Sequence, residues 1–420
     1  MRASQQISGP LAAATACDCS IAYNTLRGRA ADFKGTGWTA VTRDDIEQAY
    51  REISSWSDYS STPLRRLDGI ANALGIEWVL YKDESCRFGL GSFKALGAGY
   101  AIARLFGVVA RTGVHVGSSP EKRRERPVTI AAATDGNHGR AVAWAARRFD
   151  CECVVYVPKQ CTAARRAAIE SLGGKVTQTD KGYDDTVRIC LLDAVRNSWF
   201  VVSDTSWPGY ESIPALIMAG YTVLTTEMLR ELDQKTQRPT HVFVQAGVGG
   251  LAAAVCAHLW QHWGKSRPKM IVVEPENAAC VYASAAVGEL TRAAEPVETI
   301  MAGLSCAEPS PLAWRLLRHG ADFFMTVTDP SVAPCMRLLA NGSCGDDPVV
   351  AGESAVAGLA ALLCAARAPS ARQVLGLDAR SRVLLIGTEG DTDPEIYERI
   401  VGKPANLVRD RQRRCTGRQP

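Results

Sequence analysis

The stretch PVTIAAATDGNHGRAVAWAARRFDCECVVYVP, residues 127–158, contains a complete succession of strand, turn, helix and strand. Its outer segments, 127–134 and 151–158, are short and apolar, whereas the segment from His138 to about Arg148 has the length and spacing of a helix. A helix that connects two strands in this way brings the second strand parallel to the first. The stretch therefore predicts a parallel sheet with crossover helices.

The same alternation continues towards the end of the chain. It predicts an α/β protein with two lobes and open, twisted, mostly parallel sheets, whose ligands bind where the carboxyl ends of strands meet. Further helices are predicted over residues 162–173, 184–197, 212–233, 251–263 and 353–366. The further strands are predicted in KVTQT, WFVVSDT, THVFVQAG, MIVVEPE and RVLLIGTEG.

Composition excludes several classes of protein. The net charge is only +4, and the basic clusters at 121–126 and 409–414 are interpreted as solvated, so no nucleic-acid partner is expected. The 14 cysteines are scattered without a CxxC pair or a zinc-ligand spacing, which indicates reduced thiols in a cytoplasmic protein and no metal site. A disulfide between Cys280 and Cys306 stays open. No run of 18 apolar residues occurs, so no membrane span is expected.

Three loops carry the residues of chemical interest. In TDGNHG, 134–139, glycines flank Asn137, so the main chain can approach a ligand, and Asp135 lies at the mouth of the turn. In VFVQAGVGGLAAAV, 242–255, a glycine-rich turn joins a strand to a helix, where backbone N–H groups can bind phosphate. In GLGSFK, 89–94, Lys94 begins a helix with small residues on one face, and a lysine in an apolar setting can form a Schiff base.

Together the three loops resemble the pyridoxal-phosphate enzymes of the tryptophan synthase β-subunit fold, also called fold type II. Within that fold the chain is similar to the diaminopropionate ammonia-lyases between about residues 20 and 400. Seven blocks carry this similarity in order: ESCRFGLGSFKALG, AATDGNHGRAVAWAA, SDTSWPGYESIPALIMAGY, QAGVGGLAAAV, EPENAACVYAS, TIMAGLSCAEPSPLAW and IGTEGDTDP. One departure is GESAVAGL, 352–359, where the family usually has a glycine soon after Glu-Ser.

The resemblance implies a domain organisation and a set of residues that bind the cofactor. Residues 1–100 and 205–420 would form a large cofactor-binding domain, and 101–204 a smaller, mobile α/β domain. Lys94 would bind pyridoxal 5'-phosphate covalently with Phe93 beside the ring, Asn137 would bond the 3-oxygen, and Thr388 would meet the pyridine nitrogen. The phosphate would be held by main-chain amides of Gly247, Val248, Gly249, Gly250 and Leu251. A hydroxyl partner leaves the pyridine nitrogen unprotonated, which suits an elimination.

The resemblance also assigns roles to two aspartates. The lyases accept D and L substrates, and the Lys94 amine can reach the Cα proton from one face only, so Asp135 would serve as the second base. Asp204, at the end of WFVVSDT, would join Asp135 in attracting the β-ammonium of the substrate. Plainer alternatives remain open, since Asp135 could cap a helix and Asp204 could be a turn residue. His138 is interpreted as structural, and Tyr210 as a candidate wall of the pocket.

The predicted reaction is the α,β-elimination of D- and L-2,3-diaminopropionate to pyruvate and two ammonia molecules. A serine or threonine dehydratase on the same fold is the nearest alternative, and a non-catalytic protein that binds pyridoxal phosphate is a more distant one. The expected partner is a small amino acid, with neither nucleic acid nor membrane. The resemblance further suggests a homodimer.

Overall fold

The computed structural model describes residues 18–27, 32–112, 128–134, 136–234 and 238–416. These residues form two compact units. The larger unit takes the described residues of 1–38, 61–86 and 224–420, and the smaller unit those of 39–60 and 87–223. Each unit has its own sheet.

The described residues contain 11 strands and 15 α-helices. The strands are β1 (Cys19–Tyr23), β2 (Leu64–Arg66), β3 (Trp78–Asp83), β4 (Thr129–Ala133), β5 (Glu152–Val157), β6 (Lys175–Gln178), β7 (Phe200–Val201), β8 (His241–Gln245), β9 (Lys269–Pro275), β10 (Phe323–Val327) and β11 (Arg382–Gly387). The helices are α1 (Arg43–Ser54), α2 (Asp68–Leu74), α3 (Lys94–Thr112), α4 (Asn137–Arg148), α5 (Ala163–Glu170), α6 (Tyr183–Asn197), α7 (Ser212–Gln234), α8 (Gly250–Trp263), α9 (Cys280–Val287), α10 (Pro311–Gly320), α11 (Val332–Asn341), α12 (Ala357–Arg367), α13 (Pro369–Leu375), α14 (Pro394–Val401) and α15 (Ala405–Thr416). Short 3-10 turns lie at Lys34–Thr36, Arg87–Gly89, Gly264–Ser266, Glu276–Ala278, Ala302–Leu304, Asp329–Ser331 and Ser354–Val356.

The larger unit is built on a seven-stranded sheet with the order β1-β10-β9-β8-β11-β3-β2. Its five inner strands are parallel, and the two edge strands β1 and β2 are antiparallel to their neighbours. In β11, Val383 pairs with Val79 of β3 on one side and with His241 of β8 on the other. Because β8 and β11 run parallel, their carboxyl ends, which lead to Gln245 and Thr388, lie at the same edge of the sheet.

The smaller unit has a four-stranded, fully parallel sheet with the order β6-β5-β4-β7. In β4, Ala131 pairs with Val154 of β5 and with Val201 of β7. The strand, helix and parallel strand predicted from residues 127–158 are thus confirmed as β4, α4 and β5. The predicted α/β architecture with mostly parallel sheets is also confirmed.

One apolar helix packs on the sheet of the larger unit, and a second long apolar helix is largely buried. Helix α12, with the sequence AGLAALLCAAR, is buried from Ala357 to Ala365 and packs on β8, β9 and β10. Helix α7 is long and apolar enough to cross a membrane, with a mean hydropathy of 1.2 in its most apolar window, but 72% of that window is buried inside the protein. A largely buried helix of this composition is what the core of a globular protein requires.

The smaller unit is more extensive than the small domain implied by the resemblance, because close contacts join three additional segments to it. A Cβ on Gly97 of α3 would lie 2.4 Å from the ring of Tyr221, and one on Gly99 would lie 2.9 Å from Trp56 and 3.1 Å from Trp144. These side chains therefore pack directly on the glycine-bearing face of α3. The segments that join the smaller unit in this way are 39–60, 87–100 and 205–223.

Candidate active site

Lys94 is the first residue of α3, and its side chain is mostly buried. Nζ forms a hydrogen bond and ion pair with Oδ2 of Asp204, and both side chains are 20% exposed. The same nitrogen lies 5.2 Å from the ring centroid of Phe93 and 5.8 Å from that of Tyr221. The sequence-predicted residues Lys94, Phe93 and Asp204 are therefore brought together in the smaller unit, and Tyr221 joins them.

The positive charge of Lys94 determines the protonation state of Asp204. Burial by itself raises the pKa of Asp204, but the positive charge of Lys94 outweighs burial and holds that pKa well below its usual range. Asp204 is therefore ionised at neutral pH. The start of α3 carries the positive end of the helix dipole, which opposes a positive charge on Lys94.

His138, in the first turn of α4, is buried next to this pair. Its Nε2 lies 2.9 Å from the carbonyl oxygen of Val202, and its Nδ1 lies 3.9 Å from Oδ2 of Asp204. Burial lowers the pKa of His138, so the ring is neutral at pH 7. Because a carbonyl can only accept, the proton is on Nε2, and Nδ1 presents its lone pair to the side where Asp204 lies.

The loop after β7 holds Asp204 in place through Tyr210. The Tyr210 hydroxyl donates to the carbonyl of Val201, at 2.8 Å, and accepts from the backbone N–H of Ser203, at 3.0 Å. Its ring stacks on Trp207 with the centroids 4.0 Å apart. Strand β7 ends at Val201 although the sequence pattern predicted a strand up to residue 205, because the Ser203 N–H bonds this phenol. Tyr210 thus stabilises the conformation of the loop through these two hydrogen bonds. Its role as a wall of the pocket stays a prediction.

The glycine-rich turn lies between β8 and α8 in the larger unit. A Cβ on Gly247 would come within 2.9 Å of Cys306 Sγ and 3.3 Å of the Gly303 carbonyl, so no side chain fits there. Gly249 has a φ of +94°, in the left-handed region that favours glycine. The carbonyl of Val248 accepts from the Ser310 N–H at 2.8 Å. The turn is therefore compact, and it presents main chain in place of side chains.

Helix α8 begins at Gly250 directly after this turn. Gly249 at its N-cap supplies no side-chain hydrogen bond, and the first turn contains no acidic residue. The helix start therefore keeps its positive partial charge for an anion. Backbone amides with no competing carboxylate are a donor set that suits the phosphate of pyridoxal phosphate, so the residues predicted to bind it, Gly247 to Leu251, fit that group.

Thr388 follows β11 and is 4% exposed. Its Oγ1 lies 3.0 Å from Nε2 of Gln245, the last residue of β8. A buried hydroxyl at the carboxyl end of a parallel strand fits the predicted partner of the pyridine nitrogen. Gln245 was not predicted as a site residue.

The cysteines near this turn are reduced in the described structure. Cys280 donates through its thiol to the carbonyl of Gly247 at 3.5 Å, and Cys306 Sγ lies 2.9 Å from the position that a Cβ on the same glycine would take. The disulfide left open by the sequence is thus not formed here. Among the described residues, no group of three His, Cys, Asp or Glu side chains is arranged to hold a metal ion.

Two predicted residues remain to be placed. Asn137 is the first residue of α4 and is partly buried, directly before His138. Asp135 lies outside the described residues, so its predicted role as a second base stays a prediction.

Comparison with known proteins agrees with this geometry. A family profile described as "Pyridoxal-phosphate dependent enzyme" matches residues 56–386, so the chain belongs to the family of pyridoxal-phosphate-dependent enzymes. The diaminopropionate ammonia-lyase of Escherichia coli K12 is 40% identical over 355 residues, which cover 83% of this chain and 89% of the relative. That of Salmonella typhimurium is 39% identical over 357 residues, or 82% and 88% of the two chains. Within the larger family, this chain belongs to the diaminopropionate ammonia-lyases.

Solved structures of the Escherichia coli relative show the same fold. Its complexes with an aminoacrylate-PLP azomethine reaction intermediate and with D-serine each superpose with a TM-score of 0.82 at 37% identity. Each match covers 92% of this chain and 97% of the relative.

Proposed function

We propose that this protein converts 2,3-diaminopropionate and one water molecule into pyruvate and two molecules of ammonia, with either enantiomer as substrate. The observation that carries the proposal is the ion pair between Lys94 and Asp204 at the start of α3. It places the amine that would move the Cα proton, once deprotonated, beside a carboxylate that favours a positively charged substrate. The ligands of the Escherichia coli relative, an aminoacrylate intermediate and D-serine, belong to the same chemistry of β-substituted amino acids.

In this proposal pyridoxal phosphate is held by Lys94, Phe93, Asn137, Thr388 and the amides of Gly247 to Leu251. When bound, the cofactor supplies the electron sink that makes the Cα proton of an amino acid removable. The proton transfers at Cα are carried out by side chains of the protein. The Lys94 amine removes the Cα proton from one enantiomer and holds it at Nζ, and Asp135 removes it from the other enantiomer.

Asp204 accounts for the choice of substrate. Its carboxylate is ionised, because Lys94 holds its pKa low, and it is partly enclosed. A carboxylate in such a setting attracts the β-ammonium of diaminopropionate more strongly than the neutral hydroxyl of serine. The β-nitrogen then leaves as ammonia, which removes the positive charge from the neighbourhood of Asp204.

The test measures pyruvate release by purified protein with pyridoxal phosphate. D- and L-2,3-diaminopropionate are compared with D- and L-serine, and threonine is followed through its own 2-oxo acid product. We expect both diaminopropionate enantiomers to be the best substrates. Turnover of serine or threonine alone would identify a dehydratase and refute the proposal, and bound cofactor without turnover of any β-substituted amino acid would indicate a non-catalytic binder.

Asp135→Asn is expected to lower kcat/KM for D-2,3-diaminopropionate by about 100-fold or more and to affect the L enantiomer less. The reason is that a positioned acid or base usually contributes about 10²-fold to 10⁴-fold, and Asn cannot take the proton. Steady-state kinetics with each enantiomer measures the difference. Asp150→Asn is a suitable control, because Asp150 is exposed with a φ of 53°, which Asn also adopts. Equal losses for both enantiomers would contradict a division of labour between Asp135 and Lys94.

We further propose that the protein works as a cytoplasmic homodimer. Support comes from the scattered, reduced cysteines and from the resemblance to the family. Sedimentation of the purified protein tests the oligomeric state.

A further inference from the structure

Tyr221 lies on α7 at a point where that helix packs closely on α3. A Cβ on Gly220, the residue before it, would lie 2.4 Å from the carbonyl oxygen of Leu96. The two helices therefore approach each other at the level of their backbones. The Tyr221 ring lies 4.7 Å from the Phe93 ring, centroid to centroid, and its centroid lies 5.8 Å from Lys94 Nζ.

The hydroxyl group of Tyr221 is buried without a hydrogen bond. The residue is 1% exposed, and no described residue donates to this hydroxyl or accepts from it. Burial raises the pKa of Tyr221 well above its ordinary value, although the positive charge of the nearby Lys94 acts in the opposite direction. The phenol therefore keeps its proton at neutral pH. Buried hydroxyl groups in native proteins almost always have a partner, so this one points to a partner that arrives during the reaction.

Two other groups lie around the lysine nitrogen. Asp204 is its charged partner, and the neutral ring of His138 has Nδ1 3.9 Å from Oδ2 of Asp204. The hydrogen bond from His138 Nε2 to the carbonyl of Val202 fixes that ring with Nδ1 towards Asp204. The Tyr221 hydroxyl is therefore the neutral group on the lysine side of the ion pair.

A change of partner would adapt Lys94 to its work as a base. An ion pair with Asp204 stabilises the ammonium form, which has no lone pair for the Cα proton. In the proposed function the β-ammonium of the substrate takes the place of Lys94 beside Asp204. A neutral hydroxyl favours the ammonium form much less than a carboxylate does, so the lysine can remain an amine until it takes the proton. The ammonium that results can then donate to the Tyr221 oxygen.

We propose that the Tyr221 hydroxyl is the second partner of Lys94 Nζ, which it binds while the substrate ammonium occupies Asp204. Tyr221 is then a positioning residue, because it contacts the lysine and acts on the substrate through it. The inference rests on the proposed function, in which the substrate displaces Lys94 from Asp204. It also accounts for the buried hydroxyl, which the packing of the ring does not require.

The first test measures the proton affinity of Lys94 in the cofactor-free protein. Acetic anhydride labels the amine form of lysine, and mass spectrometry of the peptide that contains Lys94 gives the labelling rate at each pH. Asp204→Asn imitates an Asp204 that no longer holds the lysine. In that background we expect Tyr221→Phe to lower the midpoint of labelling by about one pH unit, because the ammonium form loses a hydrogen bond. In the natural background the shift should stay below about 0.3 pH unit, because Asp204 holds the lysine.

Equal shifts in the two backgrounds, or no shift in either, would overturn the inference, because Tyr221 would then not replace Asp204. Tyr156→Phe is the matched control. Tyr156 is a tyrosine of the same unit that is 4% exposed, and its hydroxyl donates to Oδ2 of Asp193 at 2.8 Å. Tyr156→Phe should leave the labelling midpoint of Lys94 unchanged.

The second test compares the two enantiomers and needs only the single variant. Lys94 is proposed to act on L-2,3-diaminopropionate and Asp135 on the D enantiomer. Tyr221→Phe should therefore lower kcat for the L enantiomer about tenfold, as for one hydrogen bond made by the protonated lysine, and for the D enantiomer less than about twofold. Equal losses for both enantiomers would overturn the inference.

The proposed function and the inference fail in different ways. Absence of pyruvate release from diaminopropionate by the natural protein would refute the proposed function and the inference with it. Turnover by the natural protein together with equal losses in Tyr221→Phe would refute the inference alone. If the double variant with Asp204→Asn does not fold, the comparison of enantiomers still decides the inference.

Discussion

Lys94→Ala is expected to lower release of pyruvate from both enantiomers of 2,3-diaminopropionate by at least about 10⁴-fold. A positioned acid or base alone contributes about 10²-fold to 10⁴-fold, and this substitution also removes the amine that attaches the cofactor. It leaves Asp204 without its cation in a partly enclosed setting, so the pKa of Asp204 should rise from its low value. The visible absorbance of lysine-bound cofactor should disappear as well.

The control for this prediction is Lys175→Ala, which removes an exposed lysine of β6 in the same unit and should leave turnover unchanged. A small primary amine added to Lys94→Ala should restore part of the activity, because it can enter the space of the missing side chain and supply the base. Turnover of Lys94→Ala near that of the natural protein would show that another group carries the reaction.

Asp204→Asn is expected to lower kcat/KM for 2,3-diaminopropionate by about 10-fold to 150-fold, the range that corresponds to loss of one charged hydrogen bond. Part of that loss arises because Lys94 loses its ion-pair partner, and this part is common to all substrates. The remainder arises from the β-ammonium and is absent for D-serine. The ratio of kcat/KM for diaminopropionate to that for D-serine should therefore fall by about 10-fold.

The ratio separates the two roles of Asp204. If both substrates lose the same factor, Asp204 acts on Lys94 alone and the explanation of substrate choice is wrong. Asp193→Asn serves as the control, because Asp193 is a carboxylate of the same unit that is 31% exposed and accepts from the hydroxyl of Tyr156. Asp193→Asn should leave the ratio of kcat/KM for diaminopropionate to that for D-serine unchanged.

Much of the fold could be predicted because alternation of short apolar segments with longer helical ones directly reflects parallel strands and crossover helices. The predicted helix over 184–197 is α6 to within a residue, and that over 212–233 is α7. What escaped prediction depends on distant partners. Strand β1 exists because it pairs antiparallel with β10, about 300 residues further along the chain, and no local pattern indicates that pairing.

The residues of the candidate site also differ in whether the sequence could point to them. That Lys94, Asp204 and the turn from Gly247 to Leu251 belong to the site could be proposed from the resemblance, and their roles stay predictions. Tyr221 could not, since a tyrosine within an apolar helix looks like any core residue until Lys94 is placed over its ring. Gln245 could have been recognised in the sequence, because a polar residue that ends the apolar strand VFVQ needs buried hydrogen-bond partners.

The close approach at Gly97 has a consequence for how the reactive amine is held. Gly97 lies one turn beyond Lys94 on α3, and a methyl group there would overlap the ring of Tyr221, at 2.4 Å. That same ring is one of the two aromatic faces beside the lysine nitrogen. A single added carbon at Gly97 would therefore have to displace the surface on which the lysine rests. Because Gly97 has no side chain, the Tyr221 ring can lie close to α3, and this close approach fixes the position of the aromatic face beside Lys94 Nζ.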